Sequence, residues 1–278
     1  MQSRIIILLL VCTINLTARA QQKKFTVGIG YQRTWMLDKQ ASPLKYQTSE
    51  KAVFLAYDRT GNKGVFSAQL NGALGDFYPT GFKGRKWYDP GYNIDGTPKK
   101  DSFKIPGTLY NGKIKLSYLR KATSGYNVIG KNKLYSNNYF GASLSNQTFY
   151  SDNIVRTGWL NAASFNAEYL HTATLNTKHF FSLKVSIPLF GQNSRLPYHN
   201  SISSSLGESN IKTFLKRGSR FAWLADFQNV QIDACYEYSL NDRFSMGIRY
   251  FGQWLHYSKE KPINIIQNNI GITASFKK

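Results

Sequence analysis

The sequence predicts an all-β protein whose strands close into an antiparallel up-and-down β-barrel that crosses a membrane, with about 10 strands and bounds of about 8 and 12. Three observations predict it: an export leader, period-two alternation of apolar and polar residues in segment after segment, and an aromatic content of 18 Tyr, 18 Phe and 5 Trp in 278 residues.

Arg4 is followed by the apolar run Ile5 to Val11 and then by Ala18-Arg19-Ala20, a small-x-small cleavage pattern. Residues 1–20 are therefore expected to be a signal peptide and 21–278 one barrel domain. The apolar run is about half of what a membrane-spanning helix needs. Cys12 is not read as a lipidation site, because the residue before a lipidated cysteine is small and Val11 is not. Once the leader is removed, Cys235 is the remaining cysteine and has no disulfide partner within the chain.

After residue 24 no apolar run approaches the roughly 18 residues of a spanning helix, and the mean hydropathy is −0.38. A barrel strand shows just this combination. It alternates lipid-facing with lumen-facing residues, which keeps hydropathy modest while aromatic content rises.

In chain order, strands are expected near 25–35, 51–58, 64–75, 107–119, 134–149, 158–173, 178–190, 226–240, 243–257 and 264–276. The first shows Phe25, Val27, Ile29 and Tyr31 on one face, and the fourth sets Ile114, Leu116 and Tyr118 against Lys113, Lys115 and Ser117. The seventh alternates Phe181, Leu183, Val185, Ile187 and Leu189 with Ser182, Lys184 and Ser186. In the eighth, Val230, Ile232, Ala234, Tyr236, Tyr238 and Leu240 oppose Gln231, Asp233, Cys235, Glu237 and Ser239. A tight turn at Asn241-Asp242-Arg243 leads to Phe244, Met246, Ile248 and Tyr250. Ile270, Ile272, Ala274 and Phe276 end the series, so both chain ends belong to the sheet, as closure requires.

Connections alternate in length. Short turns at Thr60-Gly61-Asn62, Leu175-Asn176-Thr177 and Asn241-Asp242 interleave with longer segments at 36–50, 76–106, 150–157 and 191–225. This is the asymmetry of periplasmic turns and extracellular loops. Segment 120–133 is longer than a usual turn, and loops 76–106 and 191–225 each have room for an extra hairpin.

With its leader, its alternating aromatic strands and the terminal strand Asn269-Ile270-Gly271-Ile272-Thr273-Ala274-Ser275-Phe276, the chain resembles outer-membrane β-barrel proteins, particularly those of the Bacteroidota. The resemblance covers the whole mature chain and implies location in the cell outer membrane. It also implies partnership with the barrel-assembly machinery, which reads a terminal aromatic strand in that class. The common pattern ends on the aromatic residue, whereas here Lys277 and Lys278 follow Phe276.

The leader takes two of 36 basic residues and none of 15 acidic ones, leaving the mature chain at +19. Such an excess draws anionic partners, here outer-membrane lipid and lipopolysaccharide, while export argues against nucleic acid. Loop 191–225 concentrates Arg195, Lys212, Lys216, Arg217 and Arg220 against Glu208, a pattern suited to phosphate groups. Loop 76–106 sets Trp87, Tyr88 and Tyr92 beside Arg85 and Lys86, a composition suited to stacking on glycan.

By strand parity Lys113, Lys115, Lys184, Asp233, Glu237 and Arg249 face inward, either as a neutralising polar network or as the lining of a narrow channel. Catalysis has one candidate, His256-Tyr257-Ser258, whose His and Ser share a face so that the imidazole can take the hydroxyl proton. The element resembles the His-x-Ser of outer-membrane lipid A 3-O-deacylases, and the resemblance implies an acyl-ester hydrolase with Ser258 as nucleophile and His256 as base. That family continues with Asn and a Pro-Asn-x-Gly stretch, where this chain has Lys259-Glu260-Lys261-Pro262-Ile263-Asn264. Omptin-type proteases need paired aspartates and an Asp-His couple, and Asp76, Asp89, Asp101 and His199 lack that spacing. Four scattered histidines and one mature cysteine point to no metal site and no cofactor. The reading is thus a membrane-embedded platform displaying basic loops, with the esterase and the narrow channel as alternatives.

Overall fold

The computed structural model describes residues 22–39, 43–83, 85–88, 91–98, 102–104, 107–129, 131–152, 158–195, 218–259 and 261–278. In chain order the strands are β1 (Gln22–Asp38), β2 (Lys45–Thr60), β3 (Gly64–Pro79), β4 (Lys86–Tyr88), β5 (Ser102–Lys104), β6 (Gly107–Ile129) and β7 (Asn132–Asp152). They continue with β8 (Gly158–Leu175), β9 (His179–Arg195), β10 (Ser219–Trp223), β11 (Phe227–Ser239), β12 (Phe244–Tyr257) and β13 (Ile263–Lys277). Ten of them, all but β4, β5 and β10, form a closed antiparallel up-and-down barrel in which each pairs with its barrel neighbours and β13 pairs back onto β1.

The closing seam is in register with the alternation: Phe25 faces Phe276, Val27 faces Ala274, Ile29 faces Ile272 and Tyr31 faces Ile270. A slip of one residue would turn this whole apolar face inward, so the pattern itself selects the register. On the inner side of the same seam Gly30 pairs with Gly271. A Cβ on Gly30 would stand 2.5 Å from the Ile270 carbonyl oxygen, and one on Gly271 2.6 Å from that of Ile29, so the two strands approach more closely than side chains permit.

Following Cα partners once around the barrel from Gly64 of β3, through Arg120, Phe140, Tyr169, Val185, Ile232, Gly252, Asn268, Arg33 and Ser49, returns to β3 at Asp76. The offset from Gly64 to Asp76 is a shear of 12 residues over ten strands. With ordinary strand spacings it tilts the strands by about 40° from the barrel axis.

The outer wall carries the residues that a soluble protein buries. Ile29, Leu74, Ile114, Leu144, Ile248, Ile270 and Ile272 are each more than half exposed, while the inward positions beside them are polar or small, such as Lys113, Lys115, Ser143, Ser145, Arg249 and Gly271. Hydrophobic-out, polar-in is the inverse of a soluble barrel.

Segment 120–133, read from sequence as an unusually long connection, is mostly strand. β6 and β7 remain paired from Thr108–Asp152 to Ile129–Asn132, with a bulge at Ala122. β6 meets β3 only as far as Arg120, and beyond Lys121, whose N–H reaches the Lys63 carbonyl, residues 122–129 have β7 on one side alone. The hairpin therefore projects past the short-turn rim, with Tyr126 and Tyr135 in contact at 4.8 Å. Both large loops contain the extra strands for which they have room: β4 pairs with β5, and β10 pairs with the far end of β9.

Candidate functional site

Two regions hold the candidate residues, the lumen and the long-loop rim. All six charged residues assigned inward by parity are buried or half-buried in the lumen, and they are neutralised there. Lys115 is paired with Glu168, and Arg249 makes a two-pronged bond to Asp233, Nε to Oδ1 at 2.8 Å and Nη2 to Oδ2 at 2.7 Å. Lys24 reaches Glu237 at 3.0 Å and Asp58 at 3.9 Å. Arg195 is paired with Asp38. Lys184 lies beside Asp233 in register, and Lys113 donates to Gln231 Oε1 at 2.5 Å while standing 4.5 Å from the Phe251 ring. With Glu50, six basic and six acidic residues line the interior among the described residues, and their formal charges cancel.

A chain of hydrogen bonds crosses the lumen between these pairs. Glu50 accepts from Gln32 Nε2 at 2.8 Å, and Gln32 approaches Thr34 at 3.4 Å. Gln267 Nε2 donates to Thr34 at 3.1 Å, Gln147 Nε2 to Gln267 at 3.0 Å, and Gln253 Nε2 to Gln147 at 2.6 Å and to Asn229 at 2.7 Å. Gln231 joins Asn229 at 3.1 Å and receives Lys113 and Lys115. Above this belt, toward the long loops, Met36, Phe77, Leu109, Phe149, Leu160, Phe227, Leu255, Tyr257, Ile263 and Ile265 pack together inside the barrel. A cavity of about 30 Å³ beside Gly28, Gly30, Lys113 and Arg249 has room for about one water molecule. The interior is packed, as the small diameter of such a barrel favours.

At the long-loop rim, β12 ends with His256 and Ser258 on the outward side. His256 Nδ1 lies 2.6 Å from Asn264 Oδ1 and its ring stacks on Trp254, with centroids 6.2 Å apart. An amide oxygen only accepts, so His256 Nδ1–H is the donor to Asn264. The Ser258 hydroxyl donates to the Asp226 carbonyl at 3.4 Å, and its backbone N–H donates to the same oxygen at 2.9 Å. Asp226 also pairs with Lys259 at 3.2 Å.

Asp226 reaches this place through an interruption in β9. Leu189 is bulged out between Pro188 and Phe190 opposite β8, a site suited to a residue without an N–H. On the other side of β9, residues 187–189 face the seven residues 224–230, of which 224–226 connect β10 to β11 and 227–230 begin β11. The surplus residues form the turn at 224–226 that lies against Ser258.

The same bulge changes the parity of β9 and turns Arg195 inward. Read from sequence as a loop residue, Arg195 is the last residue of β9, buried, and donates to Asp38 and to the Lys261 carbonyl at 2.5 Å. Arg220 stands exposed on β10 and contacts the Ser219 carbonyl at 3.3 Å. Lys212, Lys216 and Arg217 lie outside the described residues. Trp87 is the central residue of β4, paired with Phe103 of β5. Between these strands Asn93–Thr97 form a tight turn with Gly96 at φ +78°, where Thr97 donates twice to Asp95 Oδ1 and so holds that carboxyl below its usual range.

Asn264 and Asp226 were missed by residue-type reasoning. Asn264 was recoverable, since a hairpin centred on residue 260 places position 264 opposite 256. The placement of Asp226 depends on the β9 interruption and had no local signal. Among the described residues no three His, Cys, Asp or Glu side chains are grouped to hold a metal ion.

No protein-family model matches the chain, and no curated protein matches it. Among solved structures it is similar to the outer membrane protease OmpT from Escherichia coli, with 7% identity over 95% of this chain and 99% of that one and a TM-score of 0.48. It is also similar to Ail, the attachment invasion locus protein of Yersinia pestis, with 9% identity over 92% and 99% and a TM-score of 0.30. A third is the translocator domain of the autotransporter NalP from Neisseria meningitidis, with 9% identity over 99% and 94% and a TM-score of 0.33. At these values none of their activities is carried to this chain.

Proposed function

We propose that this chain is an outer-membrane β-barrel with a closed lumen, acting as a platform whose basic loops contact lipopolysaccharide or surface glycan. The observation that carries the reading is the charge balance of the interior. These six bases and six acids cancel there, so the +19 of the mature chain is left for the outer wall, the two rims and the loops. The apolar outer wall supports the membrane location, with the short turns in the periplasm and the long loops outside. Arg195 is set apart from the binding set, because its charge is already used by Asp38.

The test is binding to lipopolysaccharide vesicles by the full protein with Lys212, Lys216, Arg217 and Arg220 changed to Gln. A fall of about tenfold or more at low salt supports the loop role. Unchanged binding sinks it.

A second reading, hydrolysis of a lipid A acyl ester by Ser258 and His256, is favoured by one observation: the Asn264 amide oxygen accepts from His256 Nδ1 and so orients the imidazole. For it to operate, the Ser258 hydroxyl must leave the Asp226 carbonyl and turn to Nε2. Mass spectrometry of lipid A from cells expressing wild-type protein or Ser258→Ala decides it, and identical acyl patterns reject it.

A further inference from the structure

The periplasmic end of the barrel carries a nearly pure positive charge. Segments 22–23, 59–63, 120–133, 176–178, 240–243 and 277–278 hold eleven Lys and Arg against a single acid, Asp242. With the interior neutral, that leaves 17 basic and eight acidic residues for the outward wall and the long loops, so the opposite end is mixed in sign. Mixed signs suffice for solubility, whereas a single-sign field attracts an oppositely charged partner.

The charge is distributed as a ring. Lys63, Arg120, Lys178, Arg243 and Lys278 come from different turns or strand ends around the circumference, and Lys131 adds a charge at the tip of the projecting β6–β7 hairpin. Arg243 adjoins Phe244, whose ring lies 5.2 Å from that of the outward Phe276. Aromatic side chains at this position mark the level of the headgroups, which puts the cations at the level of the phosphates. A soluble acidic partner docks on one side of a rim, whereas lipid surrounds it.

We propose that the periplasmic rim is a docking ring for anionic phospholipid headgroups of the inner leaflet. The proposal rests on the membrane reading above. It is tested with the full mature chain in nanodiscs of phosphatidylcholine and phosphatidylglycerol at 3:1, measuring lipids retained on the protein by native mass spectrometry. The wild type is compared with a rim variant (Lys63, Lys121, Lys178 and Arg243 to Gln) and a loop-end variant (Lys83, Arg85, Arg220 and Lys261 to Gln).

The expected result is an enrichment of phosphatidylglycerol of about fivefold over the bulk, lost in the rim variant and largely kept in the loop-end variant. Enrichment that survives in the rim variant, or that disappears equally in both, overturns the proposal. So does binding of polyglutamate without any lipid preference, which would assign the ring to a soluble acidic partner. If the rim variant does not fold, the wild type decides alone: enrichment unaffected between 0.05 and about 0.5 M salt rejects the ring. Failure of the wild type to insert at all rejects the membrane reading, whereas insertion without lipid preference rejects the ring alone.

Discussion

Gln147 on β7 and Gln253 on β12 are joined across the lumen by a hydrogen bond of 2.6 Å, although their strands are not neighbours in the sheet. The bond ties opposite walls together, and through Gln267 and Asn229 it links β1 to β11. Gln147→Leu should cost about 1–3 kcal/mol, because partners buried around it lose their bonds. In the double variant Gln147→Leu, Gln253→Leu the loss should be smaller than the sum of the single losses. Urea midpoints followed by the mobility difference between folded and boiled protein check both.

Glu168→Ala strands Lys115 in the lumen without its partner, with an expected cost of about 3–5 kcal/mol. Adding Lys115→Met should recover most of that loss, since the lone charge is then gone. An unchanged midpoint for the single variant would show that water already solvates the pair.

Ile272 faces outward near the middle of β13 and is more than half exposed. If lipid surrounds it, Ile272→Lys should destabilise the folded protein in bilayers by about 2–4 kcal/mol. Lysine in place of the exposed rim residue Ser258 should cost about 1 kcal/mol or less. Equal tolerance at both positions would count against a membrane location.

Gly30→Val places a branched side chain where the Ile270 carbonyl stands. The β1–β13 seam should fail to close, giving protein without a heat-dependent gel shift and with rapid degradation in cells. Normal folding of this variant would mean that the seam can widen.

The loop end is sealed by an apolar layer that includes Phe149, Phe227, Leu255 and Ile265. Wild-type protein in planar bilayers should therefore show no resolved conductance steps. Regular steps would revive the narrow-channel reading.

Much of this architecture was legible beforehand because alternation is local. The ten barrel strands coincide with segments that can be read from the sequence, and the inward set Lys113, Lys115, Lys184, Asp233, Glu237 and Arg249 follows from parity alone. The extent of the β6–β7 hairpin was not legible. Residues 122–128 are exposed on both faces and so carry no alternating signal, while pairing with β7 keeps them extended. Arg195 escaped for a different reason: the bulge at Leu189 inserts one residue, and every side chain after it changes sides.

By itself the sequence determined which side of each strand faces out, and hence a barrel with an apolar exterior, since burying the other face would desolvate charge after charge. Its shear, the pairing of five lumen acids with bases and the glutamine bridge from wall to wall were decided only by closure. They depend on which distant strands meet, and no local pattern in the chain encodes that distance. His256 shows both sides of this division: its face was set by counting along β12, whereas its neighbours Asn264 and Asp226 were supplied by the register with β13 and by the interruption of β9.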